Sequence, residues 1–138
     1  MGAKTAVIVA IAVGSCGLAA PAAQAVPSRD LYMVKDLQYV DGFYIGEFAA
    51  LRKKGAKVVG AYGAFNSEYV CIRGRVSYGR LKAIAYDQFG DPTTVNIKWQ
   101  GSGSKQHMKG FAPVTRATAS GYLGSDAKRF IIDCINST

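Results

Sequence analysis

The most constraining feature of the chain is the alternation of side-chain character that begins at Tyr69. Val70, Ile72 and Val76 alternate with Tyr69, Cys71, Arg73 and Arg75, so one face is apolar and the other polar, the period of a half-buried strand. Ser77-Tyr78-Gly79-Arg80 then supplies a tight turn, in which Gly79 takes a positive φ without steric penalty. With Tyr78 and Gly79 as the loop, Val76 opposes Leu81, Gly74 opposes Ala83 and Ile72 opposes Ala85. The apolar face is therefore narrow, and Gly and Ala leave room for large side chains, or a ligand, from across the interior. On the polar face Arg75 lies beside Lys82, with Arg73 and Arg80 close by. Like charges set directly opposite are unfavourable unless an anion or solvent screens them.

The same signals recur along the chain. Runs rich in Val, Ile, Tyr and Phe, separated by Gly, Asp, Asn and Pro, predict strands at Leu31 to Val34, Gly42 to Phe48, Lys57 to Tyr62, Tyr69 to Val76, Leu81 to Phe89, Thr93 to Gln100, Phe111 to Thr115 and Arg129 to Ile135. Gly90-Asp91-Pro92 is a turn, because Pro92 fixes its own φ and pushes Asp91 out of helical space. Val26 to Arg29 reads as an extended lead-in. Ala49 to Ala56 carries little strand signal and reads as a hairpin loop or one helical turn ended by Gly55. Gly101 to Gly110, polar and rich in Gly and Ser, reads as a mobile loop holding the only histidine, His107. Residues 124 to 134 are ambiguous: Ser125 or Asp126 could cap a short helix, yet Phe130, Ile131, Ile132 and Ile135 favour a strand. A length of 138 residues with 49% hydrophobic side chains allows one domain with a real core. The expected fold is mostly β, an antiparallel meander of about eight strands that forms a small barrel or a β-sandwich.

The first 25 residues read as an export signal. Lys4 gives the positive start, Ala6 to Val13 form a short apolar run, and Ala23-Gln24-Ala25 offers small residues for cleavage after Ala25. A single β domain then spans residues 26–138. Loss of Lys4 lowers the net charge from +8 to +7. Val13-Gly14-Ser15-Cys16 offers an alternative, a lipobox-like sequence that would leave the protein anchored through lipidated Cys16 instead of freely secreted. Removing the signal leaves Cys71 and Cys134, an even number in an oxidising compartment, which favours one disulfide over two separate buried thiols.

Chemistry that depends on several imidazoles or thiols is poorly supplied. One His and two Cys fall short of a structural zinc site, and no metal or cofactor is expected. A nuclease-like hydrolase could draw on Glu47 or Glu68 as base, His107 as acid and Arg73 and Arg75 for the phosphate, although these are residue types and not a motif. Asp36, Asp41, Asp87 and Asp91 fall at turns and strand ends, where Asp has structural work. Asp87 stands out, because its register carries it to the apolar face, as a ligand anchor or at an open rim.

Gly42-Phe43-Tyr44-Ile45-Gly46, followed by Gly-punctuated strands to about residue 100, resembles the calycin pattern of lipocalins and avidins, with Tyr44 where those families usually have Trp. The resemblance implies a barrel with an interior pocket for a small ligand and names no particular one. The surface is more specific. Arg52, Lys53, Lys54 and Lys57, with Arg73, Arg75, Arg80 and Lys82, make two dense basic stretches that would attract an anionic polymer, a wall polymer, an anionic surface or an acidic protein. Tyr69, Tyr78 and Tyr86 could add stacking. The expected function is that of a non-enzymatic binding protein using this basic face or a barrel interior. A hydrolase and an inhibitor or interaction protein for another exported protein are the alternatives.

Overall fold

The computed structural model describes residues 26–87 and 89–137, so the signal segment and Cys16 lie outside the described residues. Eight antiparallel strands form one sheet: β1 (Ser28–Val40), β2 (Phe43–Lys54), β3 (Lys57–Ala64), β4 (Tyr69–Ser77), β5 (Arg80–Tyr86), β6 (Pro92–Gln100), β7 (His107–Met108) and β8 (Ala112–Val114). Their order is β7-β6-β5-β4-β3-β2-β1-β8. The two edge strands are consecutive in sequence, so the sheet curls until it nearly closes on itself. Across the remaining seam the Met108 amide donates to the Met33 sulfur at 3.4 Å. Two helices, α1 (Arg116–Leu123) and α2 (Lys128–Asn136), follow the last strand and pack on the outside of β1 to β3.

The β4–β5 hairpin has the register its alternation requires: Val76 opposes Leu81, Gly74 opposes Ala83 and Ile72 opposes Ala85. Tyr78 and Gly79 both have positive φ, 53° and 72°, the conformation a two-residue hairpin loop demands. Alternation then sorts the chain into an interior of Leu31, Met33, Leu51, Val58, Ile72, Leu81, Trp99 and Met108 and an outer surface of polar side chains.

Gly74 does not make room for a side chain from across the barrel. A Cβ there would lie 2.2 Å from the Lys82 carbonyl oxygen, and at Gly60 it would lie 2.1 Å from that of Ala50. Neighbouring backbones crowd the inner side at these two points, which is how a sheet bends sharply enough to close.

Four expectations are corrected. Arg129 to Ile135 is helical, not a strand. Ala127, Phe130, Ile131, Cys134 and Ile135 turn inward while Arg129, Ile132, Asp133 and Asn136 face out, so helical periodicity outweighs the β-propensity of isoleucine. Asp126 Oδ1 accepts from the Lys128 amide at 3.0 Å at the start of this helix. The Ala49 to Ala56 segment is the second half of β2 and its turn. Its strand lacks clean alternation because Ala49 and Leu51 face the barrel core while Phe48 and Ala50 are covered by helices. Gly101 to Gly110 is not a linker: it holds a 3-10 turn at Gly103–Lys105 and then β7. Gln106 ties it down, accepting from Trp99 Nε1 at 3.0 Å and donating to the Gly103 carbonyl at 2.9 Å. Finally, β1 runs to Val40 with a bulge between Lys35 and Gln38, far beyond the expected Leu31 to Val34.

Cys71 on β4 is bonded to Cys134 on α2, with 5.3 Å between their Cα atoms. The bridge fastens the helical cover to the barrel wall across 63 residues of chain. Replacing both cysteines by Ser should lower unfolding stability by about 4 kcal/mol through loss of the closed loop, read by urea denaturation. A separate variant tests the bend. Gly74→Ala should destabilise by about 3 kcal/mol, since the added methyl must displace backbone, whereas Gly79→Ala, with open space around it, should cost about 1 kcal/mol from its positive φ alone.

Candidate functional site

The register of the central strands assembles the basic residues. Lys54 opposes Lys57, Lys57 opposes Arg75, Arg75 opposes Lys82 and Lys82 opposes Asn96. Four cations from four adjacent strands therefore stand in one cross-strand row on the outer surface. Adjacent strands are about 4.8 Å apart, so the row covers roughly 15 Å. All four are exposed, and among the described residues none of them is held in an ion pair.

The next row adds Arg52, Val59 and Arg73 in succession. Arg52 is already engaged: its Nε donates to Asp30 Oδ1 at 2.7 Å and its Nη2 to Asp30 Oδ2 at 3.1 Å. That hydrogen-bonded carboxylate raises the Arg52 pKa further. On the other flank Arg80 opposes Lys98 and donates from Nε to Asn96 Oδ1 at 2.8 Å. A groove of about 590 Å³ runs between the β2–β4 wall and Ile135 at the end of α2, with Arg52, Lys54, Lys57, Arg73 and Arg75 on its sides.

Lys53 does not belong to this face. It opposes Val58, whose side chain is in the core, and so lies on the other side of β2 from Arg52 and Lys54. Lys98 does belong, and sequence reasoning missed it. The signal was present in β6, where Lys98 shares the polar face with Thr94 and Asn96. Of the tyrosines, Tyr78 is fully exposed at the β4–β5 turn and Tyr86 is exposed on β5. Tyr69 packs edge-on against Phe130 beneath α2.

The hydrolase residues are not brought together. Glu47 and Glu68 lie at the end of the barrel that holds the β1–β2 and β3–β4 turns, whereas His107 lies on the edge strand β7, opposite Gln100 at the other end. Its Nδ1 is 2.9 Å from the Met108 carbonyl oxygen, to which it donates. Among the described residues no group of three or more His, Cys, Asp or Glu is placed to hold a metal ion.

The barrel interior is filled at the basic end and open at the other. There, a cavity of about 340 Å³ is walled by Ile72, Ala85, Val95 and Met108, with Tyr62 and Asp87 among its polar groups. Asp87 is at the rim, exposed, and its Oδ1 accepts from the amides of Phe89 at 2.8 Å and Asp91 at 3.0 Å. Tyr62 donates to Glu47 Oε1 at 2.8 Å. Burial first, and then the hydrogen bond to the Glu47 carboxylate, push the Tyr62 phenol up from 10.0 to about 12.

Against this geometry, comparison with family models, curated proteins and solved structures finds no match to the chain. The fold itself is mostly β, antiparallel and nearly closed as a barrel, and the comparisons add nothing to the likeness of residues 42–46 to the calycin opening strand. Gly46 has a local reason of its own: it has φ 121°, and a Cβ there would lie 2.6 Å from the carbonyl oxygens of Lys35 and Asp36 in the β1 bulge.

The Tyr62 shift carries a pH signature. Its neutral form is favoured in the folded state, so its contribution is intact below pH 10 and is lost as pH rises toward 12. Tyr62→Phe should therefore lose less stability between pH 10 and 12 than the parent protein, measured by urea unfolding at each pH; parallel declines would show that Tyr62 is not the responsible group.

Proposed function

We propose that this is an exported, non-enzymatic binding protein that holds an anionic polymer or polyanionic surface on the outer face of β2 to β5. The observation that carries the reading is the row Lys54, Lys57, Arg75 and Lys82: four exposed cations from four strands, adjacent to one another and without ion-pair partners among the described residues. Like charges held side by side on rigid strands repel, and that repulsion is relieved when a multivalent anion lies across them. A general excess of positive charge for solubility needs no such alignment. Arg73, Arg80 and Lys98 widen the field, and Asn96 and the exposed Tyr78 add hydrogen-bonding and stacking groups beside it. Export is supported by the Cys71–Cys134 bridge, which an oxidising compartment maintains, and among the described residues no helix is long and apolar enough to cross a membrane.

Heparin and soluble polyphosphate test the reading. Replacing Lys54, Lys57, Arg75 and Lys82 together by Gln should weaken binding at 50 mM salt by at least tenfold and flatten the dependence of log affinity on log salt by about 3, roughly 0.7 to 0.9 per lost contact. Replacing Lys35, Lys105, Lys109 and Lys128 removes the same charge elsewhere and should leave most of the affinity. Equal losses in the two variants would mean that net charge, and not the row, governs binding.

A further inference from the structure

The two ends of the barrel differ in charge as well as in filling. The meander puts the β2–β3 and β4–β5 turns at one end, and that end carries the basic row. The β1–β2, β3–β4 and β5–β6 connections are at the other end, and they and the adjoining strand ends carry Asp36, Asp41, Glu47, Glu68, Asp87 and Asp91, six of the nine acidic residues in the chain. The open cavity lies at this acidic end. Its volume of about 340 Å³ falls at the small end of the range that ligand pockets occupy, about 300–1,000 Å³.

The same end of the barrel also carries exposed apolar side chains beyond the cavity walls. The β1–β2 hairpin extends past the end of β3, whose last residue, Ala64, opposes Glu47. Val40, Phe43 and Ile45 on this extension are exposed, Phe43 to 62%, and by register share the inward side with Glu47. The extension is held in place by the Phe65 amide, which donates to the Gly46 carbonyl at 2.9 Å, and by Asn66 Nδ2, which donates to the Tyr44 carbonyl at 2.6 Å. Phe89 is exposed on the β5–β6 connection. Lys35, which opposes Glu47, lies over the Phe111 ring, 5.9 Å from its centroid. Both backbone bonds to Asp87 end on Oδ1, and among the described residues nothing occupies Oδ2.

We propose that this cup binds a small apolar amine, with its ammonium group against Asp87 at the rim and its hydrocarbon body between Ile72, Val95 and Met108. The apolar walls favour the body by removing it from water, and the carboxylates around the mouth favour a cation over a neutral or anionic head of the same length. The site is separate from the basic row and selects the opposite charge, so either can fail without the other.

Isothermal titration calorimetry with decylamine, decan-1-ol and decanoate at pH 7 tests it. Decylamine should bind at least tenfold more tightly than the alcohol, and decanoate more weakly than either. Asp87→Asn keeps an Oδ1 acceptor for the Phe89 and Asp91 amides and should reduce decylamine affinity about tenfold while leaving the alcohol unchanged. Val95→Trp fills the cup and should abolish binding of all three, with circular dichroism confirming that the barrel persists. Absence of decylamine binding, preference for decanoate, or decylamine affinity unmoved by Asp87→Asn would overturn the proposal.

Discussion

The backbone register of β2 to β5 is the constraint from which the other surfaces follow. It is set by two tight connections, Gly55-Ala56 and Tyr78-Gly79, each of which leaves the flanking residues directly opposed, and by the β3–β4 pairing that places Lys57 opposite Arg75. Once those pairs are fixed, a period of two leaves no freedom: Leu51, Val58, Ile72 and Leu81 must point in, and Lys54, Lys57, Arg75 and Lys82 must point out. A slip of one residue would bury the cations and expose the core together, which is why the charged row is as strictly specified as the hydrophobic interior.

Closure adds a second demand. Gly60 and Gly74 sit where adjacent backbones come too close for any side chain, and the bend they allow brings β7 and β8 toward each other. The outer wall is then divided. Over β1 to β3 it is covered by α1 and α2, with small residues such as Ala50 and Ala61 under the helices and the disulfide fastening the cover. From Lys54 to Lys82 it remains bare, and that uncovered part is where the charges are.

What could be read from the residues depended on whether each strand had one wet face. The register of the β4–β5 hairpin was legible to the residue, because Arg73, Arg75 and Lys82 face solvent opposite Ile72, Gly74 and Ala83, although β5 ends at Tyr86 and not at Phe89. The middle of β2 was not, since residues 48–51 are covered on both faces and alternation disappears. The final helix was misread because isoleucines at 131, 132 and 135 suggest a strand, while the spacing of Ala127, Ile131, Cys134 and Ile135, which decides the matter, spans two helical turns. Which basic residues share one outer face was only partly legible: Lys53 falls on the other side of β2 because parity within a dense run is invisible without a register, and Lys98 joins the face although it is isolated in sequence. That Lys54, Lys57, Arg75 and Lys82 form one row could not be read at all, since it depends on pairing β3 with β4 across the irregular connection at residues 65–68.

The separation of basic and acidic groups along the barrel axis gives the molecule a permanent electric moment fixed to a rigid frame. Such a body experiences a torque in the field of an extended anionic surface and turns before contact, arriving with its basic end foremost more often than random tumbling would allow. On the proposed reading, encounter and orientation become one event, and the opposite end of the barrel stays clear of the surface that the basic row would hold.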